Sequence, residues 1–564
     1  MFPVKKRSSG SVSLPAPVGG WNARDSLGDM PATDAVYLTN WFPATTECVL
    51  RKGYTQWATG ITGTVETIMD YEGGNTSKLF AISNNGSVYD VTSPSGTSVN
   101  AGSFVIGTTY TITEVGTTSF TSIGASSNTV GITFVATGVG SGTGKANYVI
   151  GAAVLTGLSN ARWQYTNVAT SGGNFLYMAN GTNTPYLYNG TTWTSITGVS
   201  TPAITGVTTT DLNNPIVFKT RVFFTQKNTL KTWYLPVTSV GGAANAIDVS
   251  QYAYKGGYIV QHATWTLDAG YGADDYYVIY TSKGQVIVFK GTDPSSATTW
   301  SMIGVWDLGT PVGTRCMYKY GGDLLLLGTD GLTPLAAELQ SSRLDPRVAL
   351  TDKIQWAISE AISLYQSSFG WQMLFYPQEN QLWLNVPISD GTQQYAMNSI
   401  NKNWCNYTGW AASCWELYKD EPYFGGVGFV GRAYYTNTDN TSNIVATGLQ
   451  AFSAFNSPGQ LKRFTMAKPI FRTTGSPAIY ANINLDFNLS DPSTVLNYTP
   501  TASGTWDNAL WDAGVWGGGM TVLQQWQGVN GVGYYGAPIV KTASQGVDTR
   551  WVSTDIVIEK GAVL

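Results

Sequence analysis

The residues of this chain with the clearest potential for chemistry are its four cysteines, Cys48, Cys316, Cys405 and Cys414. Cys405 and Cys414 lie nine positions apart in NWCNYTGWAASCWEL, each beside a tryptophan. A zinc site needs about four Cys or His ligands in short paired spacings, and the other two cysteines are distant in sequence. Because Cys and Trp alternate here, a strand would turn them to opposite faces. We therefore predict that Cys405 and Cys414 are small, buried core residues.

The N-terminus bears on whether those cysteines could form disulfides. MFPVKKRSSGSVSLPAPVGG has no apolar region after its basic residues, so we expect no secretory signal. A chain made in the cytoplasm meets reducing conditions, in which disulfides are not expected. The basic run 5–7 is interpreted as a solvated, mobile tail.

The remaining residues contain no recognisable catalytic pattern. His262, in IVQHATWTL, is the only histidine that could serve as a triad base, and no serine occupies a G-x-S-x-G elbow. Glycosidases need a carboxylate pair, but the spacing of carboxylates such as Asp274 and Asp275 marks none. The stretch TDPSSATTW near Asp293 ends like a sialidase Asp-box but lacks its glycine and register.

One segment imitates a phosphate-binding loop. GVGSGTGKA, Gly138–Ala146, has Val139 where the pattern needs glycine and Ala146 where it needs serine or threonine. Its flanks resemble strands, so no helix N-terminus would face a phosphate. We therefore predict no catalytic, cofactor-binding or metal-ligating residue, no cofactor, and no enzyme activity.

Composition indicates which architecture must position these residues. Of 564 residues only 12% are charged, whereas 13% are aromatic, with 64 glycines and 20 tryptophans. This balance is typical of a large β protein with many turns. The net charge of −4 excludes nucleic-acid binding by bulk electrostatics. No apolar stretch of 18 residues exists, so no membrane span is predicted.

A hairpin pattern returns seven times along the chain. Its starts are 96, 47, 54, 48, 49 and 50 residues apart. In each unit, β-branched and aromatic runs flank Gly, Asn or Asp turn residues. The seven starts are Lys78, Asn174, Arg221, Asp275, Asp323, Gln372 and Pro422.

The first interval alone is anomalous. Removing the 45-residue segment Gly102–Ala146 leaves an interval of 51, so we interpret that segment as an inserted β module. A period of 40–50 residues built from short antiparallel strands predicts a β-propeller. We expect about seven blades over residues 61–440, with six or eight possible.

Helical spacing interrupts the fifth unit. In Thr351–Gln366, Asp352 and Gln355 have capping-box spacing, and Ile354, Ile358, Ile362 and Tyr365 form a stripe. Two interpretations stay open for this helix: a projection used in assembly, or a packed connector.

The two ends of the chain lack the repeat. Residues 1–60 are predicted to be an extended segment with a short helix at Thr33–Leu38, which folds against the propeller or reaches a neighbour. Residues 441–564 are predicted to be a separate β-sandwich-like domain. Trp506, Trp511 and Trp516 are expected to pack a Gly-rich loop there, while exposed tryptophans could instead bind sugars or subunits.

Three stretches resemble the tail nozzle, or tail-tube, proteins of short-tailed, podovirus-type bacteriophages. The first is GGWNARDSLGDMPATDAVYLTNWFPATTECVLRKGY, residues 19–54. The second is QYAMNSINKNWCNYTGWAASCWEL with PYFGG after it, and the third runs from WDNALWDAGVW to TRWVSTDIVIEKG. These motifs are structural and identify no site residue. The inserted module also resembles small β inserts of phage structural proteins.

The resemblance implies a virion component of the phage tail. Such nozzles form a homo-oligomeric ring of six subunits below the adaptor that joins portal to tail. The ring continues the DNA channel and serves genome retention and ejection, without sequence-specific DNA binding. Implied partners are the tail adaptor, tail fibre or tailspike, and a needle or plug protein.

Two other classes of function stay open. One is a glycan-binding propeller for host receptor recognition, which sugar binding by an isolated monomer would favour. The other is a divergent hydrolase of the depolymerase kind, which turnover of capsular polysaccharide would favour.

Overall fold

The computed structural model describes residues 9–268, 273–340, 348–500 and 519–563, and these fold mainly into β-strands. The prediction of an all-β protein with a propeller, an inserted module and a C-terminal sandwich is confirmed. Five short strands come first: β1 (Ser9–Pro15), β2 (Gly20–Trp21), β3 (Asp34–Thr39), β4 (Trp41–Pro43) and β5 (Cys48–Leu50).

The first three blades of the propeller follow, together with the inserted module. Blade 1 contains β6 (Tyr54–Glu72), β7 (Ser77–Ser83) and β8 (Ser87–Asp90). The module contains β9 (Ser98–Asn100), β10 (Thr109–Glu114), a 3-10 turn (Phe120–Ile123), β11 (Thr133–Val135) and β12 (Lys145–Tyr148). Blade 2 contains β13 (Gln164–Thr170), β14 (Gly173–Ala179), β15 (Tyr186–Tyr188) and β16 (Trp193–Ser195). Around blade 3 lie β17 (Ile204–Thr205), a 3-10 turn (Thr209–Asp211), β18 (Leu212–Phe218), β19 (Arg221–Gln226), β20 (Lys231–Tyr234), β21 (Gly242–Ala243) and β22 (Asn245–Asp248).

Four further blades complete the ring. Blade 4 contains β23 (Ile259–Asp268), β24 (Ala273–Thr281), β25 (Gln285–Gly291) and β26 (Trp300–Asp307). Blade 5 contains β27 (Met317–Tyr320), β28 (Asp323–Gly328) and β29 (Gly331–Pro334), followed by α1 (Leu335–Gln340), a 3-10 turn (Asp352–Ile354) and α2 (Gln355–Tyr365). Blade 6 contains β30 (Gln372–Tyr376), a 3-10 turn (Pro377–Glu379), β31 (Gln381–Ile388), β32 (Gly391–Asn398) and β33 (Trp404–Tyr407). Blade 7 contains β34 (Cys414–Tyr418), β35 (Glu421–Gly425) and β36 (Val427–Ala433).

The ring is closed by the single long strand β6. Its first half, residues 54–64, pairs with β36 as the outer strand of blade 7. Its second half, residues 65–72, pairs with β7 as the inner strand of blade 1. One strand thus belongs to the first and last blades, and the predicted count of about seven blades is confirmed. All seven predicted hairpins are present as antiparallel pairs.

Apolar side chains fill the spaces between adjacent blades. Blades 7 and 1 share a core that includes Cys414 and Val65, and blades 1 and 2 share one around Trp163. Further cores join blade 2 to 3, blade 3 to 4, and blades 4, 5 and 6 to one another. A blade cannot cover its own faces alone, so burial stabilises the closed ring as a whole.

The inserted module lies in sequence between β8 of blade 1 and β13 of blade 2, and it has a hydrophobic core of its own. Its four strands pair in the order β11-β10-β12-β9. Phe104, Tyr110, Phe120 and Phe134 pack together inside it and are all nearly fully buried. The module is therefore a small self-contained unit.

Helix α2 packs where the outer strand of blade 5 would lie. Ile354, Ile358 and Ile362 are buried against blades 5 and 6, which is the arrangement of a packed connector. The predicted capping box is wrong, because Asp352 lies in the preceding 3-10 turn and pairs with Arg24 instead. Asp352 therefore forms an ion pair with a residue distant in sequence, and it does not cap the helix.

The last strands form a β-sandwich: β37 (Ile444–Gln450), β38 (Gln460–Thr473), β39 (Ala478–Leu485), β40 (Thr521–Gln524), β41 (Gln527–Gly533), β42 (Gly536–Ser544) and β43 (Thr549–Val563). One sheet orders β4-β5-β43-β38-β40, with β1 on β43 and β41 on β38. The other contains β3, β37, β42 and β39 and continues into blade 6 through β33. Phe464 and Ile556 of the first sheet meet Ala481 and Ile483 of the second.

The predicted helix at Thr33–Leu38 is wrong, because strand β3 begins at Asp34 and Thr33 lies in the turn before it. Val36, Tyr37 and Thr39 favour extended structure, and pairing with β37 overrides any helical tendency. The N-terminal strands belong to both sheets of the sandwich. The predicted domain boundaries stay predictions. The tryptophans Trp506, Trp511 and Trp516 and the basic run 5–7 lie outside the described residues.

Candidate functional site in the propeller channel

The channel along the propeller axis is lined by the innermost strand of every blade. Those strands are β6, β13, β18, β23, β27, β30 and β34, and they surround a cavity of about 300 Å³. Most lining side chains also bond to a neighbouring blade. Gln261, for example, accepts a hydrogen bond from the backbone N–H of Met317 at 2.8 Å, and Gln372 donates to the carbonyl of Trp415 at 2.7 Å. The channel is thus largely filled by the protein itself.

Arg315 crosses the channel from blade 5 to blades 1 and 2. Its Nη2 donates to Thr67 Oγ1 at 2.7 Å and to the carbonyls of Glu66 and Trp163, and its Nη1 donates to Gln372 Oε1 at 2.9 Å. All of these acceptors are neutral. Burial lowers the pKa of this guanidinium from its usual value, as expected for a cation moved out of water.

Two carboxyl groups, those of Asp70 and Glu416, lie near Arg315 between blades 1, 2 and 7. The hydroxyl of Tyr165 donates to Asp70 Oδ1 at 2.6 Å and also lies beside the carboxyl of Glu416. Burial raises the pKa of Glu416, and the charge of Asp70 raises it further, to about 8. Burial likewise raises the pKa of Asp70. This carboxyl pair, defined as Asp70 and Glu416, therefore retains a proton at neutral pH.

His262 lies in the wall of the same cavity and is 1% exposed. Its Nε2 faces the carbonyl of Asn214, so Nε2 carries the proton and Nδ1 accepts from the hydroxyl of Tyr277. Burial lowers the pKa of His262 to about 4, so the ring is neutral. Both ring nitrogens are engaged in hydrogen bonds inside the protein, so His262 is a buried core imidazole.

A second cavity of about 290 Å³ lies where the inner strands begin, at one mouth of the channel. Arg315 and Gln164 line both cavities and separate them. The mouth cavity carries two guanidinium groups, because Arg162 joins Arg315 at its wall. Most of its other polar side chains are amides and hydroxyls: Asn160, Asn180, Asn213, Thr314, Gln366, Ser367 and Ser368.

The motif residues 19–54 lie away from the channel and hold the domains together. Asn22 donates to Asp25 and Asp34, each at 2.8 Å, and Lys353 of the propeller donates to Asp34 at 2.9 Å and to the carbonyl of Gly19 at 2.6 Å. The Gly-x-Asn-x-Arg-Asp start therefore anchors the N-terminal segment to the 3-10 turn before α2.

The other half of the motif forms what we name the Arg51 clasp, consisting of Asn40, Arg51, Thr408 and Asp439. Arg51 is 1% exposed and binds both carboxylate oxygens of Asp439, at 2.8 and 2.6 Å. It also donates to Asn40 Oδ1 at 2.8 Å and to the carbonyl of Thr408. Asn40 in turn donates to the carbonyl of Val445 in β37 at 2.7 Å.

The clasp sits in an apolar core common to both domains. Trp41 and Trp551 of the sandwich share this core with Trp383 and Trp410 of blades 6 and 7. The guanidinium of Arg51 lies 4.7 Å from the ring centre of Trp410. Propeller and sandwich are therefore packed as one continuous body.

All four cysteines are buried and unbonded to each other. Cys405 and Trp404 point to opposite faces of β33, since Cys405 joins the core of the clasp and Trp404 joins that of blades 4 to 6. Cys414 packs between blades 7 and 1. The prediction that Cys405 and Cys414 are core residues is confirmed.

The remaining candidates lie apart from each other. The P-loop-like segment 138–146 leads into strand β12, and Lys145 pairs with Glu114 at 2.8 Å. Asp275 pairs with Lys219 at 2.6 Å, Asp293 pairs with Arg221, and the side chain of Asp274 lies outside the described part of the structure. Within the described residues, no group of three or more His, Cys, Asp or Glu could hold a metal ion. Their helices include none long and apolar enough to cross a membrane.

Sequence reasoning missed the carboxyl pair and the arginines of the mouth. These residues come from blades far apart in sequence, and no local spacing marks them. The only available signal was their place on, or just before, inner strands, which line the channel of any propeller.

No protein-family model matches the chain, and no curated protein matches it. Among solved structures, the chain is similar to the Cps50 (Swd1) β-propeller domain of Myceliophteria thermophila. That similarity has 10% sequence identity and a TM-score of 0.35, and covers 68% of this chain and 100% of the other.

Proposed function

We propose that this chain is a structural virion protein that forms the tail nozzle of a short-tailed bacteriophage. In this role it assembles into a homo-oligomeric ring, of six subunits, below the tail adaptor. The ring continues the DNA channel and serves genome retention and ejection. The proposal includes the virion tail as location and the absence of an enzymatic role.

The observation that carries the proposal is the use of the nozzle-like motif, residues 19–54. Its polar side chains are engaged inside the molecule, where they join the N-terminal strands, the propeller and the sandwich. A motif used for such internal bonding suits a mechanical building block rather than a catalyst. The core common to both domains suits a part that transmits force without bending.

The closed channel supports the same role in a second way. Arg315 and the side chains around it fill the propeller axis, leaving cavities of about 300 and 290 Å³. Such spaces cannot admit a DNA duplex. A nozzle made of these subunits would therefore pass DNA between copies, along the axis of the ring. The weakly acidic chain, with net charge −4, would not retain the phosphates.

Quantitative mass spectrometry of purified virions tests the proposal. The ratio of this chain to the major capsid protein should correspond to about six copies per particle. Imaging of the tail vertex should then find the chain below the adaptor. Absence of the chain from intact particles would overturn the proposal, as would a copy number near that of the capsid protein.

A further inference from the structure

The guanidinium of Arg315 presents an electrostatic problem that the described residues leave open. Its hydrogen-bond acceptors are a threonine hydroxyl, a glutamine amide and two backbone carbonyls, all neutral. The carboxyl groups nearby do not bond to it, since those of Asp70 and Glu416 lie against Tyr165 and that of Glu66 binds Arg162. A cation that is partly removed from water and has no bonded anion is costly, so an anion at the mouth of the channel would be stabilised.

A second cation is positioned beside the first by an aromatic ring. The guanidinium of Arg162 lies 4.4 Å from the ring centre of Phe369, and that of Arg315 lies 5.6 Å from it. Arg162 uses its Nε to bind Glu66 at 3.1 Å. Its two terminal nitrogens make no hydrogen bond to any described residue, and its side chain is 57% exposed. They are therefore available to bind a ligand bidentately.

The remaining wall of this mouth cavity is neutral and rich in hydrogen-bonding groups. The side chains of Asn213, Ser367 and Ser368 make no hydrogen bond to the residues that the structure describes, although all line the cavity. Gln164 Oε1 is buried there and has no partner among those residues either. Amides and hydroxyls of this kind bind sugar hydroxyls, for which they serve as both donors and acceptors.

From this geometry we infer that the mouth cavity binds an acidic sugar, that is, a monosaccharide unit carrying one carboxylate. Arg162 and Arg315 would bind the carboxylate, and the amides and hydroxyls would bind the ring hydroxyls. Of the two guanidinium groups at this wall, only that of Arg162 pairs with a carboxylate, that of Glu66, so the wall favours an anionic ligand. A phosphate group has no ring hydroxyls for the amides and hydroxyls of this wall.

The size of the cavity limits the ligand to one sugar unit. About 290 Å³ lies at the lower end of the range for small-molecule sites, roughly 300–1,000 Å³. Longer chains would have to extend out of the mouth. Binding of a sugar in this cavity can be tested separately from the nozzle proposal, because the copy number of the chain in the virion does not depend on whether the cavity binds a ligand.

Isothermal titration calorimetry on the full chain tests the inference. The probes are glucuronate, N-acetylneuraminate, neutral glucose and inorganic phosphate. We expect at least one of the two acidic sugars to bind and glucose to bind at least about tenfold more weakly, since it lacks the charge-assisted bonds. Absence of binding by both acidic sugars would overturn the site, as would glucose binding equally well. Phosphate competing as strongly as the acidic sugar would overturn the ligand class.

Variants separate the cavity from general charge effects. Arg162→Gln should weaken binding of the acidic sugar about tenfold or more while leaving the far-ultraviolet circular dichroism unchanged. Arg472→Gln is the matched control, because Arg472 is 50% exposed and pairs with Glu47 in the sandwich. Equal affinity in Arg162→Gln and the unmodified chain would contradict the proposal. Phe369→Leu, which keeps an apolar side chain but removes the ring between the arginines, should weaken binding less than Arg162→Gln.

Discussion

Two buried polar networks of this chain stabilise their carboxyl groups in opposite ways. In the Arg51 clasp, a fully buried guanidinium binds a carboxylate through two hydrogen bonds, so opposite charges neutralise each other. In the channel, Asp70 and Glu416 face each other across Tyr165, and burial raises the pKa of both carboxyl groups. A buried carboxyl group is therefore stabilised in this chain either by a cation or by a proton.

The two networks should therefore respond differently to substitution of a charged residue and to a change of pH. The clasp joins the propeller to the sandwich and should be sensitive to loss of either charge. The carboxyl pair joins blades 1, 2 and 7 and should be sensitive to pH. The inserted module, with its separate core, is a reference region that should respond to neither.

The largest effect is expected from breaking the clasp. Asp439→Ala leaves the buried guanidinium of Arg51 without its anion, which typically lowers the free energy of unfolding by about 3–5 kcal/mol. Chemical denaturation should detect this. The matched control is Asp248→Ala, whose partner Lys231 and own side chain are nearly half exposed, and which should change stability by about 0.5 kcal/mol or less.

A compensating double variant sharpens the first prediction. In Arg51→Met with Asp439→Leu, no charge is left unpaired, so most of the lost stability should return. If the double variant were as unstable as Asp439→Ala, the clasp would act through its hydrogen-bond geometry rather than through charge pairing.

The next largest effect concerns the carboxyl pair and pH. The folded pKa of Glu416, about 8, lies above its ordinary value of 4.5, so the folded chain binds the proton more tightly than the unfolded chain. This stability is fully present below pH 4.5 and is lost as pH rises towards 8, by up to about 1.4 kcal/mol per pH unit. Glu416→Gln should flatten the slope, as measured by denaturation at several pH values.

His262 provides the internal control for that experiment. Its folded pKa, about 4, lies below the ordinary value of 6.5, so its contribution is present above pH 6.5 and lost as pH falls towards 4. The range from pH 6.5 to 8 therefore reports on Glu416 without His262. An unchanged slope in this range for Glu416→Gln would contradict the assignment of the proton to the carboxyl pair.

A smaller effect is expected from removing the inserted module. Asn100 and Lys145 are directly paired across β9 and β12, so residues 101–144 can be replaced by a two-residue Asn-Gly turn. Because the core of the module is its own, the propeller should lose no more than about 1 kcal/mol. Thermal unfolding checks this, and a loss comparable to that of Asp439→Ala would show that the module supports the ring.

The smallest response is expected from the native thiols. All four cysteines are buried, and burial raises the pKa of Cys316 to about 12 and that of Cys414 to about 11. None should react with iodoacetamide in the folded chain, and all should react after unfolding. In Asp439→Ala, Cys48 and Cys405 beside the clasp should react before Cys414 between the blades. Uniform labelling would mean that the two regions open together.

Much of the fold could be predicted from particular stretches of sequence. The hairpin at Lys78, for example, combines alternating apolar residues with an Asn-Asn-Gly turn, and both signals act over a few residues. The helix at Thr351–Gln366 was predicted from its isoleucine stripe, but its capping box was wrong because Arg24 binds Asp352 from a distant part of the chain. The strand β3 was missed for the same reason, since its partner β37 lies over 400 positions later.

The sites were less predictable than the fold. Arg51 and Asp439 are 388 positions apart, and Tyr165 and Asp70 are 95 apart. A hydrogen bond between such residues depends on how the ring closes. Composition and the spacing of residues along the chain do not predict which of these distant residues come into contact.

Local patterns in the amino-acid sequence were enough to predict the β architecture, the seven hairpins, the inserted module and the burial of Cys405 and Cys414. These follow from period-two patterns and turn residues, which act locally. Three features became apparent from the three-dimensional structure alone: β6 belongs to two blades, the N-terminal strands join the sandwich, and particular charged groups come together in the channel. The physical reason is that burial and charge pairing depend on contacts between distant segments, which form only when the ring closes.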